Sequence, residues 1–130
     1  MHKSTIATSI PKEVKKRVWE RDHGQCVICG TTYTAAPVAH YIPRSHLGLG
    51  IEQNIVTLCM ACHCDFDNSA KRPYYASVIR RHLQMCYPDW DESKLTYKKY
   101  DALETYHRLS DKGKADVDNY IKLTFKEENK

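Results

Sequence analysis

The chain has 130 residues, 42% of them hydrophobic and 28% charged, with a net charge of +4. That is ordinary globular composition, which excludes a fibrous or intrinsically disordered chain. No run reaches the roughly 18 apolar residues of a membrane span, so no membrane association is expected. Residues 1–10 contain no apolar core of a secretory signal, and a reducing, cytoplasmic setting follows as the expectation. There six cysteines serve metal binding more readily than disulfides. Residues 1–81 hold 11 Lys and Arg against 6 Asp and Glu, whereas residues 82–130 hold 9 against 10. A basic excess on the first part suits a phosphate-bearing partner, as it would suit a merely solvated surface.

Residues 1–9 are small and polar and are expected to form a flexible tail, frayed or ordered on contact. A helix should follow, with Ser9 as cap, Pro11 in the first turn and Glu13 at the positive end of the dipole. Ile10, Val14 and Val18 recur at helical spacing, while Lys12, Lys15, Lys16, Arg17 and Arg21 occupy the other faces. Gly24 is suited to the left-handed stop. Cys26 to Gly30 forms a tight turn, and residues 31–35 a threonine-rich loop. A short strand is expected from Val38 to Ile42, ended by Pro43. Residues 44–53 form an open loop with Gly48 and Gly50, and Asn54 to Leu58 a second short strand.

Cys59 to Ser69 has helical character, with Cys62 and Phe66 on one face and His63 and Asp67 on another. Tyr74, Tyr75, Val78, Ile79 and Leu83 fit an amphipathic helix ending near Cys86, followed by a turn over residues 87–90. A further helix is expected over Lys94 to His107, with Leu95, Tyr100, Leu103 and Tyr106 inward, and a last one over Ala115 to Phe125. The resulting organisation is a tail (1–9), a core (10–70) and a helical extension (71–130).

Two C-x₂-C pairs, Cys26/Cys29 and Cys59/Cys62, are separated by 29 intervening residues. In each such turn both thiolates can reach one ion at about 2.3 Å, and two turns complete a tetrahedron. A closed four-thiolate zinc site has no open position, so its role is structural. Cys64 and Cys86 fall outside the pattern and are expected to be ordinary small apolar residues.

The excursion between the pairs carries Val38-Ala-His40-Tyr-Ile-Pro-Arg44-Ser, then Asn54 before an apolar strand, then Leu58-Cys-Met-Ala-Cys-His63. With Arg21-Asp-His-Gly-Gln-Cys-Val-Ile-Cys-Gly30, this resembles the HNH nuclease family, most of all small stand-alone members carried by bacteriophages. The resemblance covers about residues 10–70. It implies an α+β protein with a ββα-metal (His-Me finger) core on a four-cysteine zinc knuckle. It implies a metal-dependent endonuclease hydrolysing DNA phosphodiester bonds to a 3′-hydroxyl and a 5′-phosphate. Asn54 would order the loop. Bacteriophage packaging or recombination proteins in a bacterial host cell would be further partners.

The chemistry matches. A histidine titrates near neutrality, so His40 at a strand end can act as general base toward water. A divalent cation can stabilise the phosphoryl oxygens and the leaving oxygen. His63 is placed to be its ligand, and Asp67 shares its helix face. Magnesium or manganese is expected, with zinc or nickel as alternatives. Arg44 is a candidate phosphate contact or a partner for a carboxylate. Many family members carry Asp, Glu or His where this chain has Ala39. That leaves the ligand set one short, with Asp67, Asp65 and His46 as replacements in that order. The rival reading is a non-catalytic zinc module binding nucleic acid or protein, and a weaker one a redox protein using the C-x₂-C pairs.

Overall fold

The computed structural model describes residues 3–98. Helix α1 (Lys3–Thr8) precedes α2 (Lys12–Arg21), strands β1 (Ala36–His40) and β2 (Ile55–Leu58), and helices α3 (Met60–Asn68) and α4 (Arg72–Cys86). The architecture is mixed α+β with one two-stranded antiparallel sheet. Ala36 pairs with Leu58, Ala39 with Val56 and His40 with Ile55, and a bulge lies between Ala36 and Ala39.

Helix α2 buries Val14 and Val18, four residues apart, against Ile55 of β2, with Ile10 beside them. Pro11, not Ser9, stands at its N-terminal boundary, and no side chain caps it. The Ser9 hydroxyl instead donates to the Thr5 carbonyl at 2.6 Å. The helix stops where both His23 (φ 55°) and Gly24 (φ 65°) enter the left-handed region. Their N–H groups close back on Glu20 and Trp19 at 3.3 and 3.0 Å, satisfying carbonyls the helix would leave open. A Cβ on Gly24 would lie 2.8 Å from the Trp19 ring, so glycine is also required by that close approach.

The larger core joins the thiolate turn, the sheet, α3 and α4 through Cys26, Leu58, Phe66, Ile79, Leu83 and Leu95, among others. Helix α4 supplies Tyr75, Ile79 and Leu83 at i, i+4 and i+8, the face that helical geometry stacks on one side. Tyr74 was expected inside this stripe but is 64% exposed. Its neighbour Tyr75 occupies the inward position.

Of the two forms expected for the tail, the ordered one is found: it contains α1, and Thr8 at its end is buried. One further expectation is corrected. The helix expected from Lys94 does not begin there. Glu92–Lys94 form a 3₁₀ turn, Leu95 is buried, and Thr96 bridges Gly48 in antiparallel fashion. Leu49 N–H donates to the Leu95 carbonyl and Tyr97 N–H to the Leu47 carbonyl, both at 2.8 Å. Pairing with the 47–49 segment thus replaces helical hydrogen bonds. The remainder of that expected helix, and the one over Ala115 to Phe125, lie outside the described residues. Among the described residues no helix is long and apolar enough to cross a membrane.

Candidate functional site

The four-thiolate centre is built by two turns brought together by the sheet. Cys26 N–H donates to the Thr31 carbonyl at 2.9 Å and Gly30 N–H to the Cys26 carbonyl at 2.8 Å. Gly30 has φ 78°, the left-handed conformation that glycine adopts without steric cost. Val27 N–H reaches the Thr57 carbonyl of β2 at 3.0 Å, tying the first turn to the sheet. Cys59 precedes α3, and its sulfur accepts from Cys62 N–H at 3.4 Å.

The Sγ atoms of Cys26, Cys29, Cys59 and Cys62 all lie within 4.8 Å of one another, and no other cluster of metal-ligating side chains of this kind occurs among the described residues. Cys29 and Cys59 are 3.7 Å apart. A tetrahedral zinc–thiolate site with bonds of about 2.3 Å has sulfur–sulfur edges of about 3.8 Å. The four residues therefore fit a structural metal such as zinc. Burial raises the Cys26 thiol, but N–H groups of Cys29, Cys59 and Ile28 outweigh it and bring it down to about 7. Burial, then the Cys59 and Cys26 sulfurs, push Cys62 upward. One thiolate in this cluster opposes the next, and a bound cation removes that opposition. All six cysteines are free of disulfides, and Cys64 is exposed on α3.

His40 ends β1. Its Nε2 lies 2.8 Å from the Thr8 carbonyl oxygen. A carbonyl only accepts, so Nε2 carries the proton and Nδ1 keeps the lone pair. Burial lowers the His40 pKa, the Thr8 carbonyl opposes that, and the neighbouring Arg44 and His63 side chains add to the lowering. Ala39 faces the opposite way, with no exposed surface, inside the core. A carboxylate at position 39 would be buried among apolar groups, which is costly without a partner. Alanine there follows from the strand's alternation.

His63 and Asp67 lie one helical turn apart on α3, with His63 Nε2 3.4 Å from the Asp67 carboxylate. Asp67 is also 4.0 Å from Arg72. Asp65 accepts from the Tyr75 hydroxyl at 3.1 Å, so it serves the α3–α4 contact. His46 is exposed on the Arg44–His46 turn. Neither Asp65 nor His46 joins the His63–Asp67 pair in a metal-ligating group.

Asn54 is fully buried and latches the connection between the strands. Its Oδ1 accepts from Ile42 N–H at 2.8 Å. Its Nδ2 donates to the Ile42 and Leu49 carbonyls at 3.2 and 2.8 Å. Gly48 completes the latch, since a Cβ would fall 1.7 Å from the Ile42 carbonyl oxygen. Arg44 turns its guanidinium to α1. Its Nε donates to Thr8 Oγ1 at 3.3 Å, and its Nη2 to Ser9 Oγ at 3.3 Å and the Thr5 carbonyl at 3.5 Å.

A second polar centre went unread in the sequence. Asp22 is buried and accepts from Arg21 at 2.8 and 3.0 Å, from Thr57 N–H at 2.9 Å and from His82 Nε2 at 2.8 Å. Arg21 also donates to the Glu52 and Ile55 carbonyls, each at 2.8 Å, and to the Tyr87 hydroxyl at 3.1 Å. Burial raises the Asp22 carboxyl, but His82 and Arg21 overcome this and hold it well below the usual carboxylate range. One signal was available. An acidic residue at a helix C-terminus opposes the dipole, so Asp22 needed a specific partner.

These elements define a small α+β protein with a four-cysteine centre that could hold a structural metal. The chain is 33% identical over 55 residues to anaredoxin from Nostoc sp. (strain PCC 7120 / SAG 25.82 / UTEX 2576), covering 42% of this chain and 72% of that protein. It belongs to the anaredoxin family. No family model matches the chain, and no solved structure does.

Proposed function

We propose that the chain is a metal-dependent DNA endonuclease of the HNH class, with His40 as general base. In this reading β1, β2 and α3 are the ββα-metal core, and the four cysteines hold a structural zinc that fixes its shape. The observation that carries it is the state of His40. Its Nε2–H is engaged by a carbonyl 2.8 Å away, burial favours the neutral ring, and Nδ1 is left basic. A neutral imidazole with one engaged nitrogen is poised to take a proton from water.

His63, with Asp67, is the proposed holder of a divalent cation. Two protein ligands suit magnesium or manganese, which retain several waters. When bound, the cation would relieve charge on the phosphoryl oxygens and the leaving oxygen. Asn54 keeps the 41–54 connection closed around the strand end. Arg44, exposed on the Arg44–His46 turn, is the proposed contact for a substrate phosphate, while its Nε and Nη2 also reach α1 and Ser9.

The testing experiment is supercoiled plasmid incubated with the protein in magnesium or manganese. Nicking is expected, and DNA left intact at every protein concentration sinks the nuclease reading. That outcome would favour a second reading, a non-catalytic metal module or a thiol redox protein. It is supported by the relationship to a protein named anaredoxin and by the two-residue ligand set at His63. Zinc retained in stoichiometric amount under reducing conditions would oppose the redox form, since bound thiolates are not free to exchange.

A further inference from the structure

Helix α1 is held against the strand connection from two sides. From one side, Arg44 reaches Thr8 Oγ1, Ser9 Oγ and the Thr5 carbonyl. From the other, Gly50 N–H donates to the Ala7 carbonyl at 3.0 Å. The approach at Gly50 is so close that a Cβ would stand 1.9 Å from the Ser9 carbonyl oxygen. Thr8 is buried between them, its hydroxyl donating to the Ser4 carbonyl at 2.8 Å. These contacts bring the Thr8 carbonyl to His40 Nε2 from 32 residues away.

We infer that the N-terminal segment is a clasp, and that Thr8, through its backbone carbonyl, is a positioning residue for His40. It locks the imidazole in one orientation, with Nε2–H committed to the carbonyl and Nδ1 turned to be the basic atom. Arg44 and Gly50 are the two grips of the clasp. Its catalytic consequence rests on the nuclease reading, whereas the clasp itself does not.

The test uses the full chain loaded with zinc. Nitrogen–proton correlation NMR should show the His40 Nε2–H in slow exchange with water. Gly50→Ala drives a Cβ into the Ser9 carbonyl, and Thr8→Val removes the hydroxyl that Arg44 grips. Each should abolish the protected Nε2–H signal while zinc content is retained, and Thr8→Ser should preserve it. DNA nicking should fall by about tenfold or more in the first two variants, the scale of loss expected from a misplaced reacting group. If Gly50→Ala does not fold, Thr8→Val decides the matter. A protected His40 signal that persists in the folded variants overturns the clasp, whether or not the protein cuts DNA. A wild-type protein that shows the signal and its loss in the variants, yet never nicks DNA, sustains the clasp and removes only the nuclease reading.

Discussion

The Asp22 carboxylate lies 2.8 Å from His82 Nε2, joining the end of α2 to the third turn of α4 across 60 residues of sequence. The same carboxylate holds Thr57 N–H on β2 and both forks of Arg21. Three elements that frame the thiolate centre and His40 are thus fixed by one buried charge. Buried pairs contribute little against an apolar replacement, but breaking one partner leaves the other uncompensated.

Asp22→Asn is therefore expected to destabilise the fold by about 3 kcal/mol, the range for removing one member of a buried pair. The Arg21 guanidinium, with 13% of its side chain exposed, loses its counter-charge. Denaturant titration at neutral pH checks this. A midpoint equal to wild type would show that the network does not brace the fold.

The same residue sets an acid limit. Asp22 has a folded pKa below its unfolded one, so its stabilisation is fully present above the ordinary value of about 3.9. It is lost as pH falls through the lower folded value. The stability gap between wild type and Asp22→Asn should shrink progressively as pH falls below about 4. Denaturant midpoints collected across that range read the gap directly. A gap that stays undiminished below about pH 4 contradicts the assignment.

Removing the metal should unmake the core around the knuckle. Cys26, Cys59 and Cys62 are buried in the larger cluster beside Leu58 and Phe66. Without a cation their thiolates oppose one another, and binding energy at such sites is folding energy. A strong chelator, or Cys62→Ser, should release about one zinc per chain and lower the thermal midpoint. Elemental analysis alongside circular dichroism checks both. Full retention of structure after the metal has gone would remove the centre's structural role.

Asn54→Ala leaves the Ile42 N–H and the Ile42 and Leu49 carbonyls without the partners they now have. A loss of about 2 kcal/mol is expected from uncovering buried polar groups. Faster hydrogen exchange at Ile42 should localise the effect. Unchanged protection there would mean that the connection is closed by something other than Asn54.

What the sequence made legible had local causes. The C-x₂-C spacing, the second short strand and the α4 stripe of Ile79 and Leu83 are set by residues within a few positions of each other, whereas the first strand lies at Ala36–His40, two residues before the expected Val38–Ile42. What it hid depends on distant partners. Lys3 to Thr8 hold few apolar residues, and α1 is kept by Arg44 and Gly50, about 40 residues away. His82 drew no role in the sequence because its partner Asp22 lies 60 residues before it. Leu95 fitted a helical stripe equally well, and the choice was made by pairing with the 47–49 segment. The resemblance to HNH nucleases sets Ala39 where many of them carry a metal ligand. The strand turns it into the core, so its identity reflects packing there and not the His63 side.

The most direct measurement is plasmid nicking by His40→Ala in magnesium or manganese, with zinc content and thermal midpoint shown equal to wild type. Loss of a general base should reduce the rate by about 100-fold or more. Nicking at the wild-type rate by a folded, zinc-loaded His40→Ala protein would contradict the assignment of His40 as the base.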